Sequence, residues 1–171
     1  MIIDLGCGEN IVQDADIGMD WRNVLINKKL VIGDLNSYLP FRANSADEIY
    51  LRHVIEHFTR SEALALLQCI SRVLKPQGIL HIETPNIYKI IEFVVKEGLH
   101  DLESCDIPAW GTAAKAIWSE NVFMGGLHKY GYSSITLTRL LAEANFTIME
   151  HNDYNSYALI VDAIRNTRAL S

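Results

Sequence analysis

An α/β fold is predicted: a doubly wound, mostly parallel sheet finished by a C-terminal antiparallel hairpin. Three observations predict it. Short β-rich runs alternate with longer helical ones along the 171 residues, the pattern of a sheet with helices on its faces. The first and fifth strand candidates, Met1–Leu5 and Ile79–Glu83, are largely apolar, as strands covered on both faces are. The last two candidates, Phe146–Glu150 and Tyr157–Asp162, are separated by only six residues, His151–Ser156. A parallel crossover needs about a dozen residues or more, so this pair must be antiparallel.

The remaining strands are read at Ile17–Asp20, Leu30–Ile32 and Glu48–Leu51. The clearest helix runs from Arg60 to Leu74. Thr59 and Glu62 form its capping box, Leu64, Leu67, Ile70 and Val73–Leu74 its apolar stripe, and Pro76 with Gly78 stops it. A second helix spans Ile135 to Ala144, capped by Ser134, with Leu137, Leu140 and Leu141 inward and Asn145 at the left-handed end position. The stretch from Ile87 to Tyr132 fits no strand. It holds a helix at Ile87–Lys96, then Gly98, Pro108, Gly111 and Gly125–Gly126, and is expected to be a substrate-covering insertion.

One domain is expected over residues 1–171, a size that buries roughly 70% of the unfolded surface. Net charge is −6 with no Lys/Arg block, so no nucleic-acid partner is expected. No apolar run approaches the ~20 residues of a membrane span, and no basic-then-apolar stretch stands at the start, so neither membrane nor signal peptide is expected. Cys7, Cys69 and Cys105 are odd in number, and their spacing fits neither a zinc ribbon nor a disulfide framework. A reducing, cytoplasmic setting is the natural reading.

The chemistry gathers at strand ends, where open α/β sheets bind ligands. The first strand runs into Asp4-Leu5-Gly6-Cys7-Gly8-Glu9-Asn10, whose glycines let backbone approach a ligand. Alone, such a run is also an ordinary turn. No Gly-Lys-Ser/Thr follows, which excludes a phosphate-binding loop, and Ile11 takes the third-glycine place of a dinucleotide fingerprint. Asp20, in Gly18-Met19-Asp20-Trp21, ends the second strand, where an acid can accept from both ribose hydroxyls. Asp34, in Val31-Ile32-Gly33-Asp34-Leu35, follows the third and can accept from an exocyclic amine. Each acid alone is also a common cap or turn residue. Three strand ends in register, each with a polar group a nucleoside needs, are harder to dismiss.

These segments, together with Leu39-Pro40-Phe41, Asn44-Ser45-Ala46-Asp47-Glu48-Ile49, His53-Val54-Ile55-Glu56-His57 and Arg72-Val73-Leu74-Lys75-Pro76-Gln77-Gly78, resemble the class I S-adenosylmethionine-dependent methyltransferases, and among them the broad type 11 group. The resemblance covers residues 1–86 and resumes at Leu127-His128-Lys129-Tyr130 and Thr138–Phe146. It implies a Rossmann-like sheet ordered 3-2-1-4-5-7-6, a lid between strands 5 and 6, and S-adenosyl-L-methionine as cofactor. It implies that Asp4, Gly6 and Gly8 shape the methionine-side loop, that Asp20 meets the ribose, and that Asp34 and Leu35 meet the adenine. Asn10, Trp21 and His53 complete the expected cofactor set. Two departures stand out: only 12 positions separate Gly8 from Asp20, too few for a full intervening helix, and the chain starts directly on the first strand. Both leave the cofactor less covered.

Methyl transfer from a sulfonium is an in-line displacement, so placement lowers much of the barrier. A hydroxyl acceptor also needs a base, a role suited to histidine. His53, Glu56 and His57 follow the fourth strand. In a helical turn His53 and His57 would share a face with Glu56 beside one of them. That spacing also suits a metal pair, but no third ligand stands out, and no metal is expected. Packing and a local hydrogen bond explain Glu56 and His57 equally well. His128, within Gly125-Gly126-Leu127-His128-Lys129-Tyr130, is the favoured base on a glycine-hinged loop, against a plain solvated turn. His81 is expected to pack, and Glu83-Thr84-Pro85-Asn86 to reach the site. Trp110 and Trp118 either stack on a ligand ring or pack. The expected activity is O-methylation of a small polar acceptor, with a sugar or glycan hydroxyl suggested by the resemblance alone. A non-catalytic binding or regulatory module stays open, aminopropyl transfer on the same fold ranks last, and a homo-oligomer is left open.

Overall fold

The computed structural model describes residues 1–24, 29–97, 101–107, 111–119, 126–152 and 157–167, with the side chains of 151–152 left aside. The first part of the chain forms β1 (Ile2–Leu5), β2 (Ile17–Asp20), β3 (Lys29–Ile32), β4 (Ala46–Arg52), a 3₁₀ turn (Ile55–His57) and α1 (Arg60–Val73). β5 (Leu74–Pro85), α2 (Ile87–Lys96), β6 (Asp106–Ile107), β7 (Gly111–Thr112) and α3 (Ala113–Trp118) follow. α4 (Ser134–Glu143), β8 (Phe146–Asn152) and β9 (Ala158–Arg165) end it.

Among the described residues one seven-stranded sheet runs β3-β2-β1-β4-β5-β9-β8. With the small β6–β7 ribbon set apart, this is the expected order. β1 to β5 pair in parallel, while β9 runs antiparallel to both β5 and β8. Register places Ile3, Ile49, Leu80 and Ala163 in one row and Leu5, Leu51, Ile82 and Val161 in another, all buried. Alternation sends both rows to the same face. There they meet Ala63, Leu66, Leu67 and Ile70 of α1 and Leu137, Leu140 and Leu141 of α4. The opposite face carries the row Asp4, Tyr50, His81 and Asp162. His81 packs as expected, stacked on Tyr50 at 4.3 Å, but it is also tied to Asp162 (2.7 Å) and Glu48 (3.2 Å).

The helix ends follow local chemistry. Thr59 and Glu62 form the predicted reciprocal cap of α1. At α4 the cap is Ser133 rather than Ser134, because Ser133 accepts from Thr136 N while the Thr136 side chain answers it. Asn145 adopts φ +70°, the left-handed end predicted for it. α1 stops one residue early: Leu74 is already extended and opens β5, ahead of Pro76 and Gly78. No helix forms among the 11 residues from Gly6 to Asp16, as the short spacing demands.

The insertion departs from the expectation in one respect: it contains the antiparallel β6–β7 ribbon. Two-residue strands leave no periodicity to detect. α2 has its predicted bounds, with Asn86 as cap. Ile90, Cys105, Ile107, Ala113 and Ala116 build a small second core there, separate from the main one. Gly98, His100, Pro108, Trp110, Gly125 and residues 153–156 lie outside the described residues.

Candidate active site

β1 ends in a loop that doubles back on β2. Gly6 N and Cys7 N both donate to Met19 O, at 2.7 and 3.3 Å. Gly6 sits at φ +67°, and a Cβ there would lie 2.4 Å from Val54 Cγ2, so no side chain fits. Gly8, at φ +53°, donates its N–H to Asp20 Oδ2 at 2.9 Å. The other Asp20 oxygen accepts from Arg22 N (2.9 Å) and Arg22 Nε (3.1 Å). Burial works against the charged carboxylate, yet these hydrogen bonds outweigh it and hold Asp20 below its ordinary range. Buried Asp4 restrains the far side of the loop, accepting from Val12 N (2.8 Å) and Arg52 Nη2 (3.0 Å). The same Arg52 nitrogen reaches Asn10 O at 2.7 Å. Burial first, then the charges of Asp4 and Asp20, push the Cys7 thiol up to about 11, so it stays protonated and unreactive.

The other cofactor candidates are looser. Trp21 is 59% exposed. Asp34 is exposed and holds a turn through Asn36 N and Nδ2, at 2.9 and 3.1 Å. Leu35 packs on the main core. A half-open cleft of about 480 Å³ lined by Glu9, Arg22, Asn23 and Val24 lies beside the loop.

Beyond β4 the backbone corrects the sequence reading. His53 takes φ +53°, so no helical turn starts there, and residues 55–57 close a 3₁₀ turn instead. His53 and His57 therefore do not share a face. His53 Nδ1 lies 3.7 Å from Glu56 Oε1 and its Nε2 3.3 Å from Glu83 Oε1. His57 turns to His128, with ring centroids 5.1 Å apart. A strap brings His128 there: Lys129 N and Tyr130 N donate to Glu56 O at 2.8 and 3.2 Å. Glu56 is buried, and its Oε2 accepts from Thr84 Oγ1 at 3.0 Å.

The histidines differ electrostatically. Burial disfavours the His53 imidazolium, but Glu56 and Glu83 win and raise its pKa. Burial dominates at His128 and lowers its pKa, with Glu56 opposing. His128 is thus a neutral, enclosed imidazole, and His53 the one facing solvent.

A family model described as a methyltransferase domain matches residues 3–82, which include Asp4, Gly6, Gly8, Asp20, Asp34, His53, Glu56 and His57. Residues 3–82 are similar to that methyltransferase domain. Solved structures extend the likeness of fold to nearly the whole chain. An S-adenosylmethionine-dependent methyltransferase from Mesorhizobium loti superposes with TM-score 0.66 at 16% identity, over 96% of this chain and 90% of that one. One from Methanosarcina mazei gives 0.65 at 14% identity, over 98% and 92%. The Burkholderia thailandensis 1,6-didemethyltoxoflavin-N1-methyltransferase, solved with S-adenosylhomocysteine, gives 0.63 at 14%, over 96% and 70%. No curated protein matches the chain.

S-adenosylmethionine is the ligand named for two of these structures, and S-adenosylhomocysteine for the third, and the residues present here fit such a ligand. The Gly6–Gly8 turn keeps two left-handed backbone positions free of side chains at the end of β1, and the buried Asp20 carboxylate is tied to it through Gly8 N. Sequence reasoning missed Arg22 and Arg52, which hold the two acids and the loop. Neither lies in a motif. Arg52 acts on Asp4 and Asn10 across 48 and 42 residues, a pairing with no local signature.

Proposed function

We propose that the chain methylates a hydroxyl of a small, polar, sugar-like acceptor. One observation carries the reading: His53, bracketed by Glu56 and Glu83, stands just past the end of β4, its N–H on the Glu83 carbonyl of β5, and the next residue, Val54, packs against Gly6. The acceptor oxygen attacks the sulfonium methyl in line. The C–S bond breaks with its electron pair passing to sulfur, an O–C bond forms, and the hydroxyl proton goes to a base.

His53 takes that proton in preference to His128. Its side chain is 45% exposed and two carboxylates support the imidazolium, whereas His128 is 11% exposed with Nδ1 on the Ile117 carbonyl. Glu56, His57 and His128 form the floor of the acceptor side. Carboxylates around an exposed imidazole suit a polyhydroxylated ligand, whose hydroxyls donate to them. A small cytoplasmic acceptor accords with the net charge of −6 and with Cys7, Cys69 and Cys105 all being free thiols. No helix among the described residues is long and apolar enough to cross a membrane.

The test is transfer of labelled methyl from S-adenosylmethionine to a panel of sugars, phenols, amines and thiols. Hydroxyl acceptors should be labelled, and His53→Ala should cut kcat by ~10²–10⁴-fold with S-adenosylhomocysteine affinity kept within a few-fold. Preferential labelling of amines would overturn O-methylation. Tight S-adenosylhomocysteine binding without transfer to any class would favour a binding or regulatory module.

A further inference from the structure

The structure assigns a divalent transition-metal site to Glu56, His57 and His128. One ligand-capable atom of each lies within 4.8 Å of the other two. Both rings are anchored through Nδ1. His57 Nδ1 is 3.2 Å from Leu127 O, and His128 Nδ1 is 3.1 Å from Ile117 O. A carbonyl oxygen only accepts, so each Nδ1 carries a proton, and each Nε2 is the nitrogen left for a ligand. Metal-ligating imidazoles are held in this way, with the far N–H on a backbone carbonyl or carboxylate.

Glu56 supplies the second, independent observation. Its Oε2 is satisfied by Thr84, but its Oε1 is buried with no hydrogen-bond partner. His53 Nδ1 and His128 Nε2 stand off from that oxygen at 3.7 and 4.0 Å. A buried carboxylate without a donor is costly, and costlier than a neutral group. Neither ring nitrogen comes within hydrogen-bond distance of it. A cation completes the set.

The donors choose the ion. Two nitrogens and one oxygen suit Zn²⁺ and its first-row neighbours, whereas Ca²⁺ and Mg²⁺ take all-oxygen shells. Three protein ligands leave a fourth position open, as in catalytic rather than structural zinc sites. Ligands around a tetrahedral ion stand roughly 3.4 Å apart, so these three must close by up to about 1.4 Å, within reach of side-chain rotation. Binding of the ion is independent of methyl transfer. Its use, to hold an acceptor oxygen near the methyl donor, rests on the function proposed above.

The experiment titrates the EDTA-treated full chain with Zn²⁺ by calorimetry and with Co²⁺ by visible absorption. One ion per chain is expected, with the strong visible bands of four-coordinate cobalt. His57→Ala, His128→Ala and the isosteric Glu56→Gln should each weaken binding by more than about 100-fold, beyond the 10–100-fold of a lost supporting residue. His81→Ala, in the separate Glu48–Asp162 cluster, should leave it within about two-fold and serves as the control for surface histidine binding. Circular dichroism confirms that each variant is folded, and Glu56→Gln keeps the side chain's shape. No stoichiometric ion, or affinity unmoved by Glu56→Gln and His57→Ala, or lost in His81→Ala, would overturn the site. S-adenosylhomocysteine titrated in parallel separates the two readings: its binding without metal refutes only this site, and metal binding without it upholds the site while removing its proposed use.

Discussion

Asp20 accepts from Gly8 N and from two nitrogens of Arg22, so its charge sets the loop's shape before any ligand arrives. A hydrogen bond to a charged group contributes about 1.5–3 kcal/mol. Asp20→Ala should therefore weaken S-adenosylhomocysteine binding by ~10–150-fold in calorimetry, and unchanged affinity would remove Asp20 from the site. The same carboxylate makes stability depend on pH. Its folded pKa lies below the unfolded 3.8, so its contribution is complete above about pH 4 and is lost as pH falls through the folded value. Asp47, held at about 2 by Lys75 and the N-terminal ammonium, adds in the same direction. Melting temperature should fall on acidification below about pH 4, and less steeply in Asp20→Asn. The two glycines should respond differently. Gly6→Ala meets Val54 Cγ2 at 2.4 Å in a left-handed backbone, whereas Gly8→Ala meets only the flexible tip of Arg22 at 3.3 Å. Both carry the left-handed cost of ~1–2 kcal/mol, and overpacking adds about 1–3 at Gly6 alone. Thermal melts should rank Gly6→Ala as the less stable; the reverse order would mean that the loop relaxes around Gly6.

At the scale of elements, α1 is the main cover of the buried face, and its start depends on a reciprocal cap. Thr59 N donates to Glu62 Oε2 at 2.7 Å, and Glu62 N to Thr59 Oγ1 at 3.4 Å. Thr59→Ala should cost ~1 kcal/mol, a fall of about 2–4 °C in melting temperature. Glu62 also accepts from Lys129 Nζ at 3.4 Å, which links α1 to the strap carrying His128. That pair is exposed and worth little by itself. The strap is held more firmly by the two backbone bonds to Glu56 O. α2, the β6–β7 ribbon and α3 share only a small core of their own. Their amides should exchange faster than those of β4 and β5 in the free protein, and slow when S-adenosylhomocysteine and acceptor are both present. Equal protection in both states would make the insertion a fixed part of the scaffold.

For the whole molecule, the crossover topology gathers residues distant in sequence at one end of the sheet. β1, β4 and β5 are neighbours, so the Gly6 turn meets Val54 while the adjoining His53 meets Glu83, although they come from three separate stretches. Much of this was legible beforehand. Strand positions, the antiparallel finish, the Thr59 cap, the Asn145 end and the glycine turn all follow from preferences that act within a few residues. The sequence by itself determined which stretches become strands and helices, because hydrophobic period and cap chemistry are local. It also pointed to Asp4 and Asp20, since strand ends in such a sheet are where ligands bind. Only the tertiary structure decided which side chains face one another across the site. His57 meets His128 rather than His53, Arg52 reaches back to Asp4, and Glu56 keeps an oxygen without a donor. Periodicity reports the face a residue takes on its own element, not the element that comes to cover that face. His128 arrives only because the strap folds over the 3₁₀ turn, and with it comes the third ligand that spacing alone did not supply.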